Sequence, residues 1–207
     1  MRVGLDFDNT IAGYDELFAT LCVEEGYFDS APSGGKTAIR DALRRRPDGE
    51  AEWRRLQALA YGPRMSEAQM FDGVATFLKF CRYEKLSVSI VSHKTRHPAC
   101  PEIETDLRES ALAWMTEQGF FSDCGFGLSP KDVYFEDSRA DKVARIAKLD
   151  CSVFVDDLEE VFNEAQFPPV PQRILFAPQG TTTDLPLTVC RNWSEIADEI
   201  IGQSAVA

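Results

Sequence analysis

Val3-Gly4-Leu5-Asp6-Phe7-Asp8-Asn9-Thr10 is the stretch that decides the fold: an apolar run leads straight into two aspartates spaced by one residue. A short apolar run bounded by turn-forming residues reads as a strand buried on both faces. Residues two apart on an extended segment point the same way, so Asp6 and Asp8 are expected to face one site. Further runs of this kind occur at 86–91 and 152–155, the latter ending in Asp156-Asp157, with another at 173–176 and a weaker one at 133–135.

Helical periodicity fills the gaps between these runs. Val74, Phe77, Leu78 and Cys81 form one apolar stripe, and Leu107, Ala111, Trp114 and Met115 another, with Gly119 placed to stop it. Ser138 is suited to cap a helix that carries Val143, Ile146 and Ala147 on its inner face. Strands alternating with helices predict an α/β fold, a Rossmann-like three-layer parallel sheet core. The exception is 15–72, which has helical stripes (Leu17, Phe18, Leu21 and Cys22; Ile39 and Leu43; Trp53, Leu56 and Leu59) and no strand between them. This stretch is expected to be a small α-helical cap inserted after strand one, leaving 1–14 and 73–207 as the core.

Composition narrows the partners. The chain has 207 residues and is 44% hydrophobic, enough for one substantial core. Its 22 basic against 34 acidic residues give a net charge of −12, which argues against nucleic acid, whose phosphates are held by clustered Lys and Arg. No apolar run approaches the ~20 residues that span a bilayer, and the first residues carry no visible secretory signal. Six cysteines are scattered without a CxxC pair, as expected of thiols in a reducing, cytoplasmic setting. An acidic protein can still take an anionic substrate where a divalent cation supplies positive charge.

In parallel α/β sheets, ligands bind at the carboxyl ends of the strands. Those ends carry Asp6-Phe7-Asp8-Asn9-Thr10, then Ser92-His93-Lys94-Thr95, then Asp156-Asp157, with Lys142 on the helix before the fourth strand. This combination resembles the haloacid dehalogenase-like (HAD) superfamily, most of whose members are phosphatases. The family's motifs are DxDx[TV] after strand one, Ser or Thr after strand two, Lys before strand four and an acidic pair after it. Here they read DFDNT, VSHK, Lys142 and VDD, in that order. Each is weak alone; four in register with the strands are specific. The helical insertion matches the cap many members carry.

The resemblance implies a magnesium-dependent phosphatase acting on a small phosphorylated metabolite. Asp6 would attack phosphorus, and Asp8 would serve as general acid and then base. Ser92 and Lys142 would hold the phosphoryl oxygens, with His93, Asn9 and Thr10 also lining the substrate. Mg²⁺ would sit among Asp6, the Asp8 backbone carbonyl, Asp156 and Asp157, as inner ligands or support. Substrate choice would fall to the cap, where Lys36, Arg40, Trp53, Arg54 and Tyr61 are candidates.

Rival readings are weaker. Lys131, in the loop before strand three, competes with Lys142, but lacks its helical placement just before strand four. His93, His97 and Cys100 have a zinc-like spacing that Pro98 and Pro101 break. Ser33-Gly34-Gly35-Lys36-Thr37 resembles the end of a phosphate-binding loop but has Ser30 where that loop needs glycine, and no strand before it. A phosphorelay receiver domain orders its groups differently along the strands. Asp8 argues against a dehalogenase. A phosphomutase, a phosphonate-cleaving relative (with Lys36 as the sole cap lysine) and a non-catalytic binding module stand as alternatives.

Overall fold

A computed structural model describes residues 1–204 of the chain. In chain order its elements are β1 (Arg2–Leu5), β2 (Ala12–Gly13), α1 (Asp15–Glu24), α2 (Gly35–Leu43), α3 (Gly49–Tyr61), β3 (Gln69–Met70), α4 (Val74–Tyr83) and β4 (Ser87–His93). There follow α5 (Leu107–Glu117), β5 (Val133–Glu136), α6 (Arg139–Leu149), β6 (Val153–Asp156), α7 (Glu159–Phe162), β7 (Gln172–Phe176), β8 (Thr188–Cys190) and α8 (Trp193–Ser204). The fold is α/β and Rossmann-like. Six parallel strands stand in the order β5-β4-β1-β6-β7-β8, so the sheet grows outward in both directions from β1.

The sheet has helices on both faces because its strands are apolar on both. On β7, Leu175 joins a core cluster with Val143 and Ile146 of α6 and Phe154 of β6. The next residue, Phe176, points to the other face and meets Trp193 of α8, whose ring lies 5.2 Å from Phe77 of α4. Val3 and Leu5 of the central strand are fully buried. Between them Gly4 leaves room for β6: a Cβ there would stand 2.5 Å from Phe154 Cδ2 and 2.9 Å from Cys151 Sγ. Among the described residues, no helix is long and apolar enough to cross a membrane.

Several expectations need adjusting. The sixth strand and α8 were not foreseen. Ala147 is exposed, because the inward side of α6 is centred on Lys142, Val143 and Ile146. By compactness the chain divides into one unit of 1–12, 70–94 and 119–207 and another of 13–69 and 95–118. The segment 95–118, assigned above to the core, thus groups with the helical stretch.

The helical unit has its own core. Phe18 stacks on Trp53 at 5.0 Å, Tyr61 sits edge-on to Tyr14 at 4.8 Å, and Trp114 Nε1 donates to the Ala68 carbonyl at 2.8 Å. The Lys36 ammonium lies 5.6 Å from the Phe18 ring centre and 5.4 Å from that of Tyr61. Arg40 and Arg54 form exposed ion pairs with Asp41 and Glu50, and Trp53 is buried.

Candidate active site

Strand order places the site. Proceeding outward from β1, the chain runs one way through β4 and β5 and the other way through β6, β7 and β8. The crevice at the carboxyl ends of β1 and β6 is therefore the topological switch point where such sheets bind ligands. Leu5 is level with Val155, and the Asp6 amide donates to the Val155 carbonyl at 2.9 Å. Asp6 and Asp156 thereby emerge side by side from neighbouring strands.

Both carboxylates are buried and share one cation. Lys142 Nζ donates to Asp6 Oδ1 and to Asp156 Oδ2, each at 2.6 Å. The lysine reaches them because α6 starts immediately after β5: Ser138 caps it by accepting from the Asp141 amide, and Lys142 lies one turn in. Lys131 is exposed at the base of β5, and Lys148 is exposed later on α6. Asp156 Oδ1 accepts from the Leu158 amide at 3.0 Å, which anchors the turn that carries Asp157.

The Asp6 carboxyl stands raised from 3.8 to about 7 in all: burial is the largest influence, Lys142 opposes it, and Asp156 and then Asp8 add to the rise. For Lys142, burial is the largest influence and acts downward, but Asp156 and then Asp6 more than reverse it, so the ammonium stays firmly charged. The arrangement is a cation held between two anions that water barely reaches.

The turn after Asp6 fixes the remaining first-motif residues. Ile11 and Ala12 amides both donate to the Phe7 carbonyl, and Asn9 takes a left-handed φ of 59°, a conformation asparagine tolerates better than most residues. Thr10 is fully buried; its Oγ1 donates to Asp6 Oδ2 at 3.3 Å, and its carbonyl accepts from Trp193 Nε1 at 3.1 Å. Asp8 is partly open to solvent.

Of the β4 residues, Ser92 is buried at 1% exposure, whereas His93 is exposed and its Nε2 lies 3.2 Å from the Asp137 carbonyl. Sequence reasoning missed one functional candidate on the same strand exit. Lys94 is 4% exposed, and its Nζ stands 2.9 Å from Asp8 Oδ2 and 3.1 Å from Asp8 Oδ1. The period-2 rule that pairs Asp6 with Asp8 also pairs Ser92 with Lys94, so the signal was present in VSHK.

Asp6, Asp156 and Asp157 bring carboxylate oxygens within 4.8 Å of one another. Hard oxygen donors in such a group suit magnesium rather than a softer metal. The charges agree: Asp6, Asp8, Asp156 and Asp157, when ionised, outnumber Lys94 and Lys142 by two, the charge of one divalent cation.

Comparison with family models and with curated proteins finds no match. Solved structures do match in fold. YfnB of Bacillus subtilis, described as a HAD-hydrolase bound to magnesium, has a TM-score of 0.56 at 13% identity over 97% of both chains. A HAD family hydrolase from Deinococcus radiodurans, with bound phosphate and sodium, has a TM-score of 0.56 at 13% identity, covering 98% of this chain and 96% of its own. A phosphoserine phosphohydrolase-like protein from Francisella tularensis gives 0.53 at 13% identity over 96% and 99%. The chain therefore has the HAD-like fold, and what it does with that fold must be argued from its own site.

Proposed function

We propose that this chain is a magnesium-dependent phosphatase that hydrolyses a small phosphomonoester through an aspartyl-phosphate on Asp6. The observation that carries this reading is the Lys142 ammonium, 2.6 Å from both Asp6 and Asp156 at the switch point. A carboxylate nucleophile and a dianionic ester repel each other, and a site that concentrates cations on the carboxylate removes that barrier. Asp6, Asp156 and Asp157, with the Asp8 backbone carbonyl, would hold magnesium, which when bound neutralises the phosphoryl oxygens and orients them.

The residues divide the work as follows. An Asp6 oxygen attacks phosphorus; the bond from phosphorus to the ester oxygen breaks, and its electron pair stays on that oxygen. Asp8 gives the departing oxygen its proton. Asp8 then takes a proton from water, whose oxygen attacks phosphorus; the bond to Asp6 breaks, releasing inorganic phosphate and restoring the carboxylate. Lys142 and Ser92 hold the phosphoryl oxygens throughout, and Thr10, through its bond to Asp6, keeps the nucleophile aimed. Asn9 and His93 complete the substrate-facing set in this proposal.

The test is hydrolysis of 4-nitrophenyl phosphate and of a panel of phosphorylated metabolites, with magnesium and with chelator. Activity that requires magnesium, disappears in Asp6→Asn and leaves phosphate on Asp6 in a rapid-quench experiment is expected. A folded wild-type protein that binds magnesium but turns over no ester would overturn the proposal in favour of a binding module.

A further inference from the structure

Lys94 is a costly residue to place where it is. An ammonium with 4% exposure has given up its water, and a buried cation is tolerated only where it is paired and hydrogen-bonded. Its backbone is pinned, since the Lys94 amide donates to the Glu136 carbonyl at 3.0 Å at the end of β5. Its side chain runs back towards β1, with Nζ 5.7 Å from the Phe7 ring centre, a range in which cation–π attraction adds to the hold. From this fixed base Nζ touches two different oxygens of Asp8, at 2.9 and 3.1 Å.

Asp8 needs such a hold. It belongs to the turn after β1 rather than to the strand, and its side chain is 19% exposed. A short carboxylate at the rim of a site has rotamers that aim it away from a substrate. We propose that Lys94 is the positioning residue for the acid–base carboxyl: it fixes the Asp8 rotamer so that one oxygen stays bonded to Nζ while the other carries the proton to the departing oxygen. Nζ stands on both oxygens, and the division requires only that the longer contact, at 3.1 Å, yields to the departing oxygen while the 2.9 Å contact is kept. When water attacks in the second half of the reaction, the same hold presents the bare oxygen as base. This assignment rests on the phosphatase reading above.

A second role for Lys94, as mere counter-charge for a dianionic substrate, gives a different signature, and the experiment separates the two. Values of kcat/KM are measured for an activated aryl phosphate, whose leaving group departs without help, and for an alkyl phosphate, whose leaving group needs a proton. Lys94→Met is expected to lose about 100-fold or more on the alkyl ester, in the range of general acid–base catalysis, and less than about 10-fold on the aryl ester. The double variant with Asp8→Asn should be no slower on the alkyl ester than Asp8→Asn alone, because residues acting as one unit are not additive. Lys94→Arg, which keeps the charge and a fork of donors, should recover part of the loss and guards against a folding defect, as does a thermal melt of each variant. Equal losses on both esters, carried by KM, or losses that multiply in the double variant, would overturn the positioning role while leaving the phosphatase intact. If the wild-type protein hydrolyses neither ester, the phosphatase reading falls and takes this assignment with it.

Discussion

Lys142 Nζ stands 2.6 Å from Asp6 Oδ1, although 136 positions separate the two residues in the chain. The same nitrogen bonds Asp156, whose side chain is wholly buried, so a single ammonium offsets two carboxylates in a dry crevice. Removing one member of such a buried group strands the others. Lys142→Met is expected to cost about 3–5 kcal/mol, a fall of about 6–20 °C in Tm for a chain of this size. Magnesium should restore part of it by replacing the lost positive charge. Thermal melts with metal and with chelator check this; an unchanged Tm would deny the lysine its structural share.

The raised Asp6 carboxyl gives a pH dependence of known sign. Folding lifts it from 3.8 to about 7, so the folded chain holds that proton more tightly than the unfolded chain. Its stabilising contribution is complete below about pH 3.8 and is lost as pH rises through about 7. In chelator, wild type should lose stability relative to Asp6→Asn across that window, by up to about 4 kcal/mol at ~1.4 kcal/mol per pKa unit. Denaturant titrations at a series of pH values test it.

In the proposed site magnesium would take the ionised form, so below about pH 7 its uptake should expel the Asp6 proton. Titration calorimetry in buffers of unlike ionisation enthalpy would then give buffer-dependent heats. A heat that is the same in every buffer would contradict this.

The neighbouring aspartates should respond differently to neutralisation. Asp156 is wholly buried and its two oxygens are engaged by Lys142 and by the Leu158 amide, whereas Asp157 is only half-buried. Asp156→Asn is expected to lower both Tm and magnesium affinity. Asp157→Asn should lower Tm less than Asp156→Asn does, since its half-buried side chain gives up less on neutralisation, yet weaken magnesium by about 10–100-fold. Equal effects of the two would put both residues in one role.

Gly4 lies two residues before Asp6, and Phe154 and Cys151 occupy the space that a side chain there would take. An added methyl would meet Phe154 and Cys151 closer than atoms pack, so Gly4→Ala is expected to cost about 1–3 kcal/mol by overpacking. The displaced strand should also reduce kcat, while a melt and a rate measured on the same preparation show whether stability and activity fall together.

Much of this was readable from residues, and the exceptions have physical reasons. The central strands announced themselves because burial on both faces demands unbroken apolar runs, and the aspartates at their ends stood out by contrast. The run at 133–135 was weak because β5 is an edge strand whose residues are all only half-buried. Thr188–Cys190 escaped notice for a similar reason: an edge strand of 3 residues is too short for a pattern. Trp193, Ile196 and Ile200 do carry a helical stripe, and all are buried, so α8 was legible though unread. The grouping of 95–118 with the helical unit was not legible, because the apolar face of α5 says that it packs but not on what. Lys94 was legible though unread: it shares a face with Ser92 by the period-2 rule, but at a strand exit it reads as one more polar residue until its burial and its contact with Asp8 are seen.

The order of these residues along the chain also sets when the site can assemble. Asp6 is translated 136 residues ahead of its cationic partner, and β1 must wait for both β4 and β6 to flank it. Until then the nascent polypeptide carries an acid with no enclosed place to go. A chain cut short before α6 would lack the ammonium that Asp6 bonds, so the interleaving of the sheet defers the enclosed site until α6 and β6 have been made.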